Sequence, residues 1–144
     1  MEFKIKIFMS AGCVLNEEIL GGIRYLRNGN SYKITTVENI GTLDLKQIIS
    51  AICDGFDGIY IIISGKIKKG KPVSKYDSFL KIVEESNRLL ARRGFGEHRV
   101  DFCYWIGRKT QKLIKDIRNF YKNIKILGLN PLNYEKNEIY ENVH

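Results

Sequence analysis

An α/β fold built on a four-stranded parallel sheet is the class that this 144-residue sequence predicts. Three observations predict it. Strand-like and helix-like patterns alternate along the chain as β-α-β-α-β-α-β-α, and parallel strands need such crossover helices. The run "GIYIIIS" (58–64) is apolar without a break, as expected of a strand covered on both faces. The length suits one domain, and a 44% hydrophobic content can bury an ordinary core. The expected architecture is a single three-layer domain with helices on both faces and strand order 2-1-3-4, flavodoxin-like.

"EFKIKIFMS" alternates and then turns apolar, and reads as the first strand. Asn16 can cap a helix opening with Glu17 and Glu18, acids well placed against the helix dipole, with Ile19, Ile23 and Leu26 at helical spacing. "SYKITTVEN" is β-branched and reads as the second strand. Leu45, Ile48, Ile49 and Ile52 form a helical stripe, with Thr42 as its expected cap. After the third strand, Ser74 or Ser78 opens a long helix ending near Gly94. "RVDFCYWIG" reads as the fourth strand. From Thr110, the residues Leu113, Ile114, Ile117, Phe120, Tyr121 and Ile124 give the last helical stripe. The domain is expected over 1–128. A tail without clear period, 129–144, is left to lie across the body or to dock on a partner.

The chain carries 24 Lys+Arg against 16 Asp+Glu, a formal charge of +8. Such a balance suits an acidic protein partner, a phosphate-bearing ligand or nucleic acid, and it is also what a solvated basic surface gives. Three widely spaced cysteines, Cys13, Cys53 and Cys103, form no CxxC pair, and an odd count argues against a disulfide framework. A reducing, cytoplasmic setting is the natural inference. Lysines break the apolar run of "MEFKIKIFMSAGC", so it reads as a strand and not as a signal peptide or membrane span.

Ligands of open α/β proteins sit at the carboxyl ends of the strands. The loop after "GIYIIIS" begins at Ser64 and holds Lys66, Lys68, Lys69 and Lys71 with two glycines. Lysines and glycine amides favour anions, but "GKIKKGK" lacks Walker A spacing. Protein docking and a solvated face are its other readings. Trp105, at the end of the fourth strand, is an interface anchor or a lid on the core. Cys13 comes just after the first strand, as a thiol near a helix N-terminus or as a small buried turn residue. Cys53 and Cys103 read as core. His98 has no obvious catalytic partner in sequence and reads as a surface residue.

"AICDGFDGIYII" resembles the A-x-x-x-G-A-D-G-V-x-V segment of the delta subunit of methyl-viologen-reducing hydrogenase. "RRGFGEHRV" resembles the same family's G-[IL]-x-x-x-R-[VL] step into the next strand. "EEILGGIR" fits over its A-D-x-A-G-x-x-R helix segment, and the closing "ILG" fits its final helix end. The resemblance covers roughly residues 3 to 128. It implies a [2Fe–2S] protein that passes electrons between a hydrogenase or formate dehydrogenase and the flavin subunit of heterodisulfide reductase. Thiolates at strand ends would hold such a cluster: a CxxC after strand one, a C-x-G after strand two and a GC-x4-C loop after strand three.

This chain departs at each position. The CxxC falls on Met9 and Gly12, with Cys13 one place late. Asn39 stands for the thiolate of C-x-G. Ser64 and Lys69 stand for the two of the third loop. One displaced cysteine cannot replace four protein ligands. The resemblance therefore implies a body without its cluster and no cofactor. The expected role is a non-catalytic adaptor or accessory subunit of an anaerobic redox or methyl-transfer complex. Its partners would be larger subunits, a heterodisulfide-reductase-like flavoprotein among them, met through Cys13, Asn39, Ser64, the four loop lysines and Trp105. The alternative is a small phosphate-, flavin- or nucleotide-binding domain using the strand-end loops. Nucleic acid ranks behind both, and no membrane is implied.

Overall fold

The structure is a computed structural model that describes residues 3–10, 21, 23, 31–38, 40–64, 67–68, 71–72, 76–105 and 110–133. β1 (Lys4–Ser10), β2 (Ser31–Val37), β3 (Gly58–Ser64) and β6 (Val100–Trp105) form one parallel sheet in the order β2-β1-β3-β6. Counted within the sheet, this is the 2-1-3-4 order that the alternation predicts. Two further pieces, β4 (Ile67–Lys68) and β5 (Lys71–Pro72), pair antiparallel as a short ribbon after β3. Three helices have described bounds: α1 (Leu45–Cys53), α2 (Tyr76–Arg92) and α3 (Thr110–Leu127). Gly21 and Ile23 are helical. The expected cap Asn16 lies outside the described residues.

Alternation along each strand sorts the core into two halves. Ile5, Ile7, Met9, Tyr60, Ile62 and Trp105 face α3, where Leu113, Ile117, Phe120, Tyr121 and Ile124 are buried against them, and Ile23 joins this half. Phe8, Ile59, Ile61, Ile63 and Val100 face the other way, onto Ile48 and Ile52 of α1 and Phe79, Val83 and Leu90 of α2. β3 supplies both halves. From Ile59 to Ile63 no residue is more than 4% exposed, which is why its sequence shows no polar position. Gly58 opens the strand because a Cβ there would stand 2.7 Å from Ile124 Cδ1 and 3.0 Å from Phe120 Cζ.

Two expected caps are corrected. α1 is capped by Asp44, not Thr42. Asp44 Oδ1 accepts from Gln47 N at 2.9 Å, and Gln47 Oε1 accepts from Asp44 N at 3.0 Å, a reciprocal capping box. Thr42 ends a 3-10 turn that begins at Ile40. That turn places Leu43 in the core, 1% exposed, just ahead of the cap. α2 starts at Tyr76, so Ser78 lies inside its first turn and does not cap it. Ser74 lies outside the described residues.

A buried polar cluster closes the amino edge of the sheet. Arg99 is 2% exposed. Its Nη1 donates to Asp57 O at 2.9 Å and Gly128 O at 3.1 Å, its Nη2 donates to Leu129 O at 3.3 Å, and its Nε donates to Phe95 O. The Asp57 carboxylate, fully buried, accepts from Lys4 N at 2.7 Å and Asn130 N at 2.6 Å. Asn130 donates onward to Ile52 O and Phe56 O at 2.8 and 2.9 Å. Burial pushes the guanidinium below its usual value, and the Asp57 charge acts against that shift. The cluster ties together the starts of β1, β3 and β6, the end of α1 and the chain beyond α3. At the outer edge, Asn87 of α2 holds Val100 through both of its backbone groups, at 2.9 and 3.0 Å.

Arg99→Met should cost about 1–3 kcal/mol or more, because it leaves the buried carbonyls of Phe95, Asp57, Gly128 and Leu129 without their donor. Urea unfolding measures this, and a loss no larger than that of a surface substitution would contradict the cluster's role. A second expectation concerns alkali. Burial, with Cys103 second, pushes the Tyr60 phenol far up, and burial, with Tyr32 second, does the same to Tyr121. A native value raised above the unfolded one stabilises fully below about pH 10 and is lost as the unfolded phenols ionise above it. Absorbance titration of the folded chain should therefore leave these two of its eight tyrosines silent until alkaline unfolding releases them.

Candidate functional site

Because all four strands of the sheet run parallel, their carboxyl ends share one edge. Register fixes the neighbours along it: Ser10 beside Val37, Met9 beside Ile62, and Ser64 beside Trp105. Strands about 4.8 Å apart make this edge roughly 15 Å wide. It lies opposite the Arg99–Asp57 cluster, so the end of the sheet that would carry a ligand is held by none of the bonds that lock the other end.

Of the residues expected at this edge, Met9 is 7% exposed and packs in the core half beneath α3. Ser64 is the last residue of β3. Lys68 and Lys71 are register partners across the β4–β5 ribbon, so part of the lysine loop is a hairpin. Trp105 ends β6 and is 7% exposed within the core. Its indole Nε1 is buried with no hydrogen-bond partner among the described residues. Gly12, Cys13, Asn39, Lys66 and Lys69 lie outside the described residues. In sequence, Asn39 is two places past the end of β2, and Lys69 falls between the two strands of the ribbon.

The cysteine expectations divide. Cys103 is partly buried beside the α3 half of the core and interacts with the Tyr60 hydroxyl. Cys53, expected in the core, is exposed. The buried face of α1 is set by Ile48, Ala51 and Ile52; Cys53 is one residue, or about 100°, further round the helix and reaches solvent. His98 is on the surface, its Nε2 4.0 Å from Glu97 Oε2 with both side chains more than three-quarters exposed. Its φ of 65° marks the turn into β6.

Among the described residues no group of three or more His, Cys, Asp and Glu side chains is placed to hold a metal. No described helix is long and apolar enough to cross a membrane. Sequence reading missed the part of Arg99 as the hub of the amino edge, although the signal was present. The segments "AICDGFDGIYII" and "RRGFGEHRV" contain Gly55, Asp57, Gly58 and Arg99, and all four serve that edge or the close approach of α3. Gly55, with φ of 102°, turns the chain between α1 and β3 and offers its carbonyl to Asn133 Nδ2 at 2.9 Å.

The parallel sheet in the order β2-β1-β3-β6, with helices on both faces, defines a doubly wound α/β domain. The family model described as methyl-viologen-reducing hydrogenase, delta subunit, matches residues 5–128. The chain belongs to that family, whose members are subunits of multi-subunit hydrogenase-type complexes. No curated protein matches the chain.

The exposure difference between the two described cysteines is directly measurable. In the folded chain, Cys53 should be alkylated promptly and Cys103 only after unfolding, as read by site-resolved mass spectrometry. Equal rates at the two thiols would contradict the placement of α1 on the sheet.

Proposed function

We propose that this chain is a non-catalytic accessory subunit that docks, through the carboxyl edge of its sheet, on a larger subunit of an anaerobic redox or methyl-transfer complex, with a heterodisulfide-reductase-like flavoprotein as the favoured neighbour. One observation carries the reading. The chain belongs to a family of complex subunits over 5–128, while the positions matching the family's cluster ligands are Met9, Gly12, Asn39, Ser64 and Lys69. None of these is a thiol. In this reading the body descends from a [2Fe–2S] electron-transfer subunit and keeps the shape of the docking edge without the redox group. Residues 1–128 are that body and 129–144 its tail. The lysines at 66, 68, 69 and 71 meet an acidic patch on the partner, where charge sets rate and register more than raw affinity.

The test is Lys68→Glu combined with Lys69→Glu. The complex should form more slowly and weaken, increasingly at low salt, while the isolated chain melts as before. Anaerobic affinity capture across a salt series measures the first, and iron analysis of the isolated, reconstituted chain runs beside it. Capture at wild-type yield sinks docking by this edge. A stoichiometric cluster in the isolated chain sinks the loss of the redox group.

A further inference from the structure

β1 is a central strand, flanked by β2 and β3, and central strands of doubly wound sheets are normally covered on both faces. Among the described residues, one face is covered and half of the other is not. Ile5 and Ile7 are fully buried toward α3. Lys4 and Lys6 alternate with them on the α1 side and are not buried, and β2 has no buried residue along its length. α1 packs over β3 and against α2. That leaves a groove of about 310 Å³ between α1 and the open half of the sheet, lined by Lys6 and Phe8 on one side, Lys46, Ser50 and Asp54 on the other, and Phe56.

The groove is cationic and aromatic together. Lys6 Nζ stands 5.4 Å from the ring centroids of both Phe8 and Phe56. Lys33 is its cross-strand neighbour, and Lys46 lines the opposite wall. Among the described residues, Asp54 is the only carboxylate lining the groove, and none is within ion-pair distance of Lys6. Three ammonium groups against one carboxylate, around two rings, suit a segment that is acidic and carries large apolar side chains.

The chain itself delivers such a segment. After α3 it passes beneath the amino edge, giving the carbonyls of Gly128 and Leu129 to Arg99. Asn130 then bonds Ile52 O and Phe56 O, and Asn133 bonds Gly55 O. The path runs from the α3 face to the end of α1, and its last described residue is bonded next door to Phe56. Beyond Asn133 the sequence is "YEKNEIYENVH", eleven residues with three glutamates against one lysine, and with Tyr134, Ile139 and Tyr140. The nine residues of α1 rise only about 14 Å, a distance that about five extended residues span.

We propose that residues 134–144 dock in the groove between α1 and β1, setting glutamates against Lys6, Lys33 and Lys46 and an aromatic or aliphatic side chain against Phe8 and Phe56. Each exposed ion pair contributes little. Tethering at Asn133 supplies the rest, because a short link holds the segment at high effective concentration. The groove runs along α1 on one face of the sheet, and the inference does not depend on docking at the carboxyl edge.

The test uses the full chain, a chain ending at Asn133, and a full chain with Glu135→Gln, Glu138→Gln and Glu141→Gln. Zero-length carbodiimide cross-linking of the dilute full chain should join Lys6, Lys33 or Lys46 to a tail glutamate within the monomer. Acylation of Lys6 should quicken about fivefold or more in the truncated and triple-glutamine chains, the factor that a docking energy of about one kcal/mol gives. Tail cross-links that avoid these lysines overturn the proposal. So do cross-links found only in covalent dimers, which would place the tail on a second copy. Unchanged Lys6 reactivity overturns it as well, and leaves the groove to an acidic segment of another protein.

Discussion

A guanidinium that cannot give up its charge sits at 2% exposure under the sheet, and much else in this molecule is arranged to satisfy it. Arg99 is tolerable there only because backbone carbonyls from three separate parts of the chain converge on it and the Asp57 charge lies near. Those carbonyls are free to converge because of where they fall: at the turn after α2, at the start of β3 and just beyond the end of α3. Asp57 completes the arrangement from the other side, taking the Lys4 and Asn130 amides that no strand pairing could serve. Segments distant in sequence are thereby held in one register by groups that would be costly to leave unpaired. The same bonds steer the chain after α3 across the sheet.

This explains why Gly55, Asp57, Gly58 and Arg99, the residues inside the segments that resemble the family, gather at one end of the sheet. A parallel sheet has an edge where strands begin and an edge where they finish, and the two face different demands. The beginning edge must bury turns and strand starts, so it needs Gly55 at positive φ, Gly58 against Ile124, and the hydrogen bonds that Asp57 and Arg99 make to backbone groups. Any chain with this packing must solve the same problem, which keeps these residues readable. The finishing edge bears none of that burden. Apart from Met9 and Trp105, which end in the core, it takes no part in that buried network.

Much of the fold was legible for a simple reason. β3 and α3 are buried along whole faces, so composition and period coincide with structure: "GIYIIIS" matches β3 residue for residue, and all six predicted stripe residues of α3 are buried. Legibility fails where one residue decides between neighbours. Thr42 and Asp44 are both good caps, and only the 3-10 turn that buries Leu43 selects Asp44. Cys53 is adjacent to the buried stripe of α1, and a helix turns about 100° per residue. Arg99 gives no sign of burial because a single arginine carries no period; its place depends on carbonyls up to 42 positions away. At the candidate edge the strand ends were legible. The ribbon pairing of Lys68 with Lys71 was not, since two-residue strands fall below any periodic signal.

The net positive charge is also distributed in a way that bears on function. One group of lysines lies in and beside the ribbon at the carboxyl edge. Another, Lys4, Lys6, Lys33 and Lys46, lies on and beside the α1 face of the β1–β2 half of the sheet. A partner with one acidic patch would meet two competing sites if both were free, and orientation would be poorly defined, because long-range charge steers encounter without choosing between like patches. The proposed docking of the chain's own acidic segment, tethered at Asn133, would occupy the second group and remove that ambiguity. The polar cluster around Arg99 sets where that tether stands, because the bonds of Gly128, Leu129 and Asn130 carry the chain to Asn133 beside Gly55.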